Sequence, residues 1–310
     1  MYVQYSQGLP GAVINQEKQT IHIDSQSPDY AKEVESLYEH YLAEDMDYFA
    51  ITKDYAAGLY EFTIHEPRPT IREPRTADSH IIKGHTIGPI SFGLTVTDQD
   101  KKASIYNLEF RDCMVKALAM KARWQIRKLR NSSNDSRTTN HESRITNHEP
   151  RIIIFIDEPY LVSIGSSFFN IKTEDVVGML NEVIAAIHQE GAFAGIHCCG
   201  NTDWSIVLKT GIDILNYDAY NYPDSIFLYR QDLDGFLKRG GIIAWGVVPN
   251  NAEGPLPPAE NLLERLDKYR PYLRHPGLIT PSCGLSGVSI ERSEEILALT
   301  AQTARGLSSV

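Results

Sequence analysis

The chain has 310 residues, 42% of them hydrophobic, and a formal net charge of −10. That length can bury a large core, and the acidic balance excludes a broad nucleic-acid-binding surface. The four cysteines, Cys113, Cys198, Cys199 and Cys283, are irregularly spaced with two adjacent, which excludes a secreted disulfide framework and fits a reduced compartment.

At the N-terminus, Met1-Tyr2-Val3-Gln4-Tyr5 lacks the basic flank and apolar core of a signal peptide. No apolar run reaches the ~20 residues that span a bilayer. A soluble, cytoplasmic protein without membrane partners is expected. Val3-Gln4-Tyr5 reads as a short first strand ahead of the turn Gly8-Leu9-Pro10-Gly11, and Thr20 to Asp24 alternates as a small extra strand. From Asp29 to Glu44, Ala31, Val34, Leu37, Tyr38, Tyr41 and Leu42 recur at helical spacing, which predicts an amphipathic helix. Tyr48 to Ile51 reads as a second strand and Tyr55 to Tyr60 as a helical piece.

Two pairs of near-identical heptads interrupt the pattern. Thr63-Ile64-His65-Glu66-Pro67-Arg68-Pro69 is followed by Thr70-Ile71-Arg72-Glu73-Pro74-Arg75, and Thr139 to Ile145 is followed by the similar Thr146 to Ile152. Polar and broken by Pro or Ser, they bury too little apolar surface to offset chain entropy, so surface insertions are expected at about 63–80 and 131–150 of a single 1–310 domain. His141 and His148 are then residues of a repeat without a catalytic role.

Ile81 to Ile87 reads as a strand ending at Gly88-Pro89, and Lys102 to Arg130 as a long helix whose basic end suits the negative helix C-terminus. Beyond the second insertion, strands and helices alternate. Strands are expected at 152–156, 192–197, 213–217, 242–247 and 278–280, with helices at 173–190, 203–209, 225–239, 259–273 and 290–305. This alternation builds a parallel sheet, and about eight strands point to an α/β fold closed as a (β/α)8 TIM barrel, with an open doubly wound sheet as the alternative.

Several strand ends carry chemically capable residues: Gly88-Pro89, Asp157-Glu158-Pro159, His197-Cys198-Cys199, Asp218-Ala219-Tyr220, Pro249-Asn250-Asn251 and Ser282-Cys283. A barrel gathers such ends at one mouth. His197 and Cys199 lie two apart and share a face of their strand, with Cys198 opposite. With Cys283 they make three ligands for zinc, unless all are small buried core residues. The fourth position falls to Asp218, to water or to a substrate atom, and Asp218 is equally suited to cap its turn. Two thiolates, an imidazole and an exchangeable position suit zinc that deprotonates an incoming thiol, whose free pKa is roughly 8.5. Asp157 and Glu158 offer acid/base chemistry or a hold on a substrate ammonium, or else a loop cap and a solvated carboxylate.

The Asp-Glu-Pro, His-x-Cys and Pro-x-Cys-Gly-Leu strand ends, in this chain order, resemble the catalytic barrel of cobalamin-independent methionine synthase. The barrel is shared with the uroporphyrinogen decarboxylase fold and its corrinoid-dependent methyltransferases. The resemblance is best from Ile152 to Arg305. It implies zinc held by His197, Cys199 and Cys283, with Asp218 at the position of the family's glutamate. It also implies that Asp157 holds the amino group of homocysteine. The sequence departs from the family at Asn251, which stands where a proton-delivering His is expected, and at Gly284-Leu285-Ser286, where Lys and Arg are usual. Nor does 310 residues hold the full-length enzyme's second, N-terminal barrel.

A zinc-dependent methyltransferase is therefore expected. Its acceptor is a thiol, homocysteine giving methionine, and its donor is a methyl-corrinoid, free or on a partner protein, in preference to methyltetrahydrofolate. Asp157 and Glu158 are the candidate catalytic groups, and Asp157 and Asn251 the substrate contacts. The rival readings are a uroporphyrinogen decarboxylase-like enzyme without catalytic zinc and a non-catalytic barrel of the same superfamily.

Overall fold

The computed structural model describes residues 1–308 except 16, 19, 65–80, 136–149, 167–168 and 252. The tandem heptads lie, but for their ends, outside the described residues; the chain before them runs as helix through Ile64 and through Asp135. The chain divides into two compact units, residues 1–158 with 174–194, and residues 159–173 with 195–310.

In the first unit, β1 (Ala12–Asn15) and β2 (Thr20–Ile23) form an antiparallel pair. Strand β3 (Ile81–Ile87) follows, then the two-residue β4 (Thr97–Asp98), which extends the small sheet in parallel beside β2. Strand β5 (Arg151–Asp157) pairs in parallel with β3, from Ile81 opposite Arg151 to Ile87 opposite Asp157. The near-continuous run Ile152 to Ile156 is buried on both faces, as strands of parallel sheets are. The helix Leu108–Asp135 covers this pair. Its buried Phe110, Met114, Ala117 and Leu118 recur at helical spacing. The helix Thr173–Gln189 buries Val176, Leu180, Val183 and Ile187 by the same logic.

The second unit is built on β6 (Phe193–Cys198), β7 (Ile214–Tyr217), β8 (Ile242–Val248) and β9 (Gly277–Pro281), with β6–β7, β7–β8 and β8–β9 all parallel. The helices Trp204–Leu208, Arg230–Lys238, Ala259–Asp267 and Ile290–Ser308 connect and follow them. Trp204, Tyr217 and Trp245 are fully buried around β7 and β8, their rings about each other at 6.0 Å between successive centroids.

The large sheet is an α/β parallel sheet of six strands in the order β3-β5-β6-β7-β8-β9. A closed eight-stranded barrel is not formed among the described residues. Two strands expected from the sequence account for part of the shortfall. Tyr2–Tyr5 is a single helical turn, and the Tyr5 hydroxyl donates to the carbonyl of His85. Tyr48 to Ile51 is irregular: Phe49 and Ile51 are buried without a strand partner, and the neighbouring Thr52 amide donates to the Gln7 side chain. Burial of apolar side chains does not by itself make a strand. Among the described residues, no helix is long and apolar enough to cross a membrane.

Candidate metal centre

Strand β6 ends at Cys198, and the turn that follows carries Cys199 and Gly200. A Cβ at Gly200 would overlap the Val162 side chain, which is exposed and would have to turn aside. The turn is pinned further by Thr202, whose hydroxyl donates to the Leu161 carbonyl at 2.6 Å. Strand alternation sends Cys198 into the core, where it is fully buried, while His197 and Cys199 are half-buried.

Cys283 follows the C-terminal end of β9. Strand β9 runs beside β8 with a register shift between Gly246 and Val248, and the Ser282 amide extends the pairing by donating to the Val248 carbonyl at 2.7 Å. Such a bulge re-aims the residues that follow it. Asn250 then brackets Cys283. Its Oδ1 accepts from the Ser282 hydroxyl, and its Nδ2 donates to the Gly284 carbonyl, each at 3.0 Å.

These elements bring His197, Cys199 and Cys283 together, with one ligand atom of each within 4.8 Å of the others. The two sulfurs and the imidazole polarise one another. The Cys283 thiol is pushed well below its ordinary range, first by its hydrogen bond with Cys199 and then by His197. Cys199 is pushed up by the same contact with Cys283, and burial adds to it. Two sulfurs and one neutral nitrogen are a zinc donor set, and three protein ligands with an open fourth position are the pattern of catalytic sites. The donor set fits the ion.

Behind the cluster stands Asn216, which the sequence reading passed over. It lies next to His197 in the strand register, and its Oδ1 is 2.6 Å from His197 Nδ1. Its Nδ2 donates to the Ala244 carbonyl and to Thr280 Oγ1, both at 2.9 Å. The available signal was a single amide inside the otherwise apolar run Ile214-Leu215-Asn216-Tyr217, all four residues being buried.

The remaining expected site residues are placed differently. Asp218 is not a member of the cluster. Its Oδ1 accepts from the amides of Tyr220 and Asn221 at 3.1 and 2.8 Å, and its Oδ2 from the Asn221 side chain at 2.7 Å. It caps the turn after β7, the alternative the sequence left open. Asn251 is exposed, and its amide donates to the carbonyl of Glu253 in its own loop at 2.6 Å.

Glu158 is fully buried in the first unit and accepts from the Ile90 amide, the Ser91 amide and the Ser91 hydroxyl at 2.9, 2.8 and 2.6 Å. Burial pushes its carboxyl up to about 7 against these hydrogen bonds. A Cβ at Gly88 would overlap this carboxyl, so Gly88 is the clearance that admits it. Its surroundings are those of a structural carboxylate that holds the start of the helix Pro89–Thr95. Asp157, at the end of β5, is half-buried. In the comparisons with known proteins, no family model and no curated protein matches the chain.

Proposed function

We propose that the protein is a zinc-dependent methyltransferase that activates a thiol, homocysteine, and converts it to methionine. The observation that carries this reading is the convergence of His197 and Cys199 with Cys283, which lies far along the chain, to within 4.8 Å at their ligand atoms. When bound, zinc would supply the Lewis acidity that holds a substrate thiol as thiolate near neutral pH. Cys199 and Cys283 would supply two anionic sulfurs and His197 a neutral nitrogen. Because the Asp218 carboxylate is engaged by its turn, the fourth position is left to an exchangeable ligand.

In the transfer, the substrate sulfur forms a bond to the methyl carbon as the carbon–donor bond breaks, and the electron pair of that bond leaves with the donor. A folate nitrogen leaving in this way needs a proton. The residue where the resemblance expects the proton donor is Asn251, an amide bonded to its own loop. A corrinoid keeps the electron pair on its metal and needs none. A methyl-corrinoid, free or on a partner protein, is therefore the favoured donor.

The test incubates zinc-loaded protein with homocysteine and either methylcobalamin or methyltetrahydrofolate. Methionine is expected with the first and little or none with the second, and loss of product is expected in Cys283→Ser. Bound zinc without methionine from either donor contradicts the reading.

A further inference from the structure

We infer that Asn216 is the positioning residue of the metal centre: it selects the tautomer of His197 and straps the strand that carries His197 to the strand that leads into Cys283. The inference rests on the cluster of His197, Cys199 and Cys283 as a metal centre, and not on which methyl group or thiol that centre handles.

A side-chain amide in the middle of a buried strand is unfavourable unless its polar atoms are paired. Asn216 pairs all of them. The Ala244 carbonyl can only accept, so the atom of Asn216 that faces it at 2.9 Å must be the amide nitrogen. The second proton of that nitrogen goes to Thr280 Oγ1, also at 2.9 Å. The amide therefore cannot be turned over without placing two acceptors against each other. Its carbonyl oxygen is left facing His197 Nδ1 at 2.6 Å.

A carbonyl only accepts, so the proton of the neutral imidazole belongs on Nδ1. The lone pair is then on Nε2, the nitrogen that remains to bind a metal. This is the orienting role that partners of metal-binding histidines commonly play. A neutral amide plays it without adding negative charge, so the ion keeps more of its Lewis acidity than beside a carboxylate.

The same side chain spans the ligand-bearing part of the sheet. His197 is on β6, Asn216 on β7, Ala244 on β8 and Thr280 on β9, with Cys283 just beyond the end of β9. One amide thus couples the ring orientation of the first ligand to the placement of the last. The ligand geometry is set by the fold rather than assembled around the ion.

Two measurements decide it. Long-range proton–nitrogen NMR on 15N-histidine-labelled, metal-stripped wild-type protein is expected to show His197 as the Nδ1–H tautomer. Predominance of the Nε2–H tautomer overturns the inference, whether or not the protein binds metal. Cobalt(II) titration followed in the visible, with chelator competition for zinc, is then compared between wild type, Asn216→Leu and Thr280→Val. Asn216→Leu is expected to lose the tautomer preference and bind both ions about 10- to 100-fold more weakly. Thr280→Val keeps the acceptor on Nδ1 and is expected to retain the tautomer with a smaller loss of affinity. An Asn216→Leu protein that is folded by circular dichroism and binds both ions within twofold of wild type overturns the inference. Wild-type protein that binds neither ion overturns both this inference and the zinc reading it rests on, whereas wild-type protein that binds ion but holds His197 as the Nε2–H tautomer overturns this inference alone.

Discussion

Glu158 and Lys121 are ionisable side chains folded out of water in the first unit, and each gives stability a pH signature. The Glu158 carboxyl is raised from 4.5 to about 7 by burial. The folded chain then holds a proton between those values that the unfolded chain has released, so this contribution to stability is complete below about pH 4.5 and declines as pH rises toward 7, by at most about 3 kcal/mol. Glu158→Gln cannot titrate. Urea midpoints from pH 4.5 to 8 should fall less steeply with pH in the variant than in wild type, and parallel profiles would contradict this.

Lys121 behaves in the opposite sense. Burial pushes its ammonium down to about 7, and its Nζ donates to the Gln7 carbonyl at 2.8 Å. The unfolded chain keeps the proton up to about pH 10.5, so the folded state gains relative stability as pH rises from about 7 to 10.5. Lys121→Met should therefore stabilise the protein by about 1–3 kcal/mol at pH 7, with the advantage shrinking toward pH 10. An advantage that grows with pH would contradict the assignment. Neither residue announces itself in sequence as buried. Glu158 reads as a catalytic carboxylate because it follows Asp157 at a strand end. Only the position of Ile90 and Ser91, 67 or more residues away, shows that it holds a helix start.

Among the elements, β8 and β9 govern the cluster. Gly246 lies at the register shift between β8 and β9, and a Cβ there would overlap the Tyr217 carbonyl and press on the Ser282 backbone. Gly246→Ala forces β8 and β7 apart at the Tyr217 carbonyl and crowds the Pro281-Ser282 backbone that leads into Cys283. A loss of about 1–3 kcal/mol in stability is expected, together with weaker zinc binding. Equal urea midpoints and equal zinc affinity would show that the strands accommodate the methyl group.

The strands of this region were legible because each is a short apolar run closed by Gly, Pro or a polar turn, as at Ile242 to Val247 and Gly277 to Ile279. The bulge was not, because a register shift depends on the neighbouring strand. The helix expected at 259–273 is two helices, Ala259–Asp267 and Arg270–Leu273, since Pro271 lacks the amide a continuous helix would use. Tyr2–Tyr5 and Tyr48 to Ile51 misled for a related reason: both alternate like strands, yet the hydrogen-bond partners of Tyr5 and of the adjoining Thr52 lie far away in sequence.

For the molecule as a whole, alternating strands and helices established an α/β architecture, and the count of strands overshot the six of the observed parallel sheet. Two of the three cluster residues could be paired from β-strand periodicity alone, as His197 and Cys199. Cys283 joined them through the expectation that parallel strands present their C-terminal ends together. That expectation needs only neighbouring parallel strands and does not depend on closure of a barrel. Asn216 escaped because a strand interior was read for core packing and not for hydrogen bonding.

The proposed chemistry requires His197, Cys199 and Cys283 to act as one metal-binding unit. Zinc analysis with X-ray absorption at the zinc edge measures this directly. About one zinc per chain is predicted, with two sulfur neighbours at about 2.3 Å, one nitrogen neighbour, and a sulfur count that drops to one in Cys283→Ser. Purified protein that holds no stoichiometric zinc, or zinc whose neighbours are unchanged when Cys283 is replaced, would contradict it.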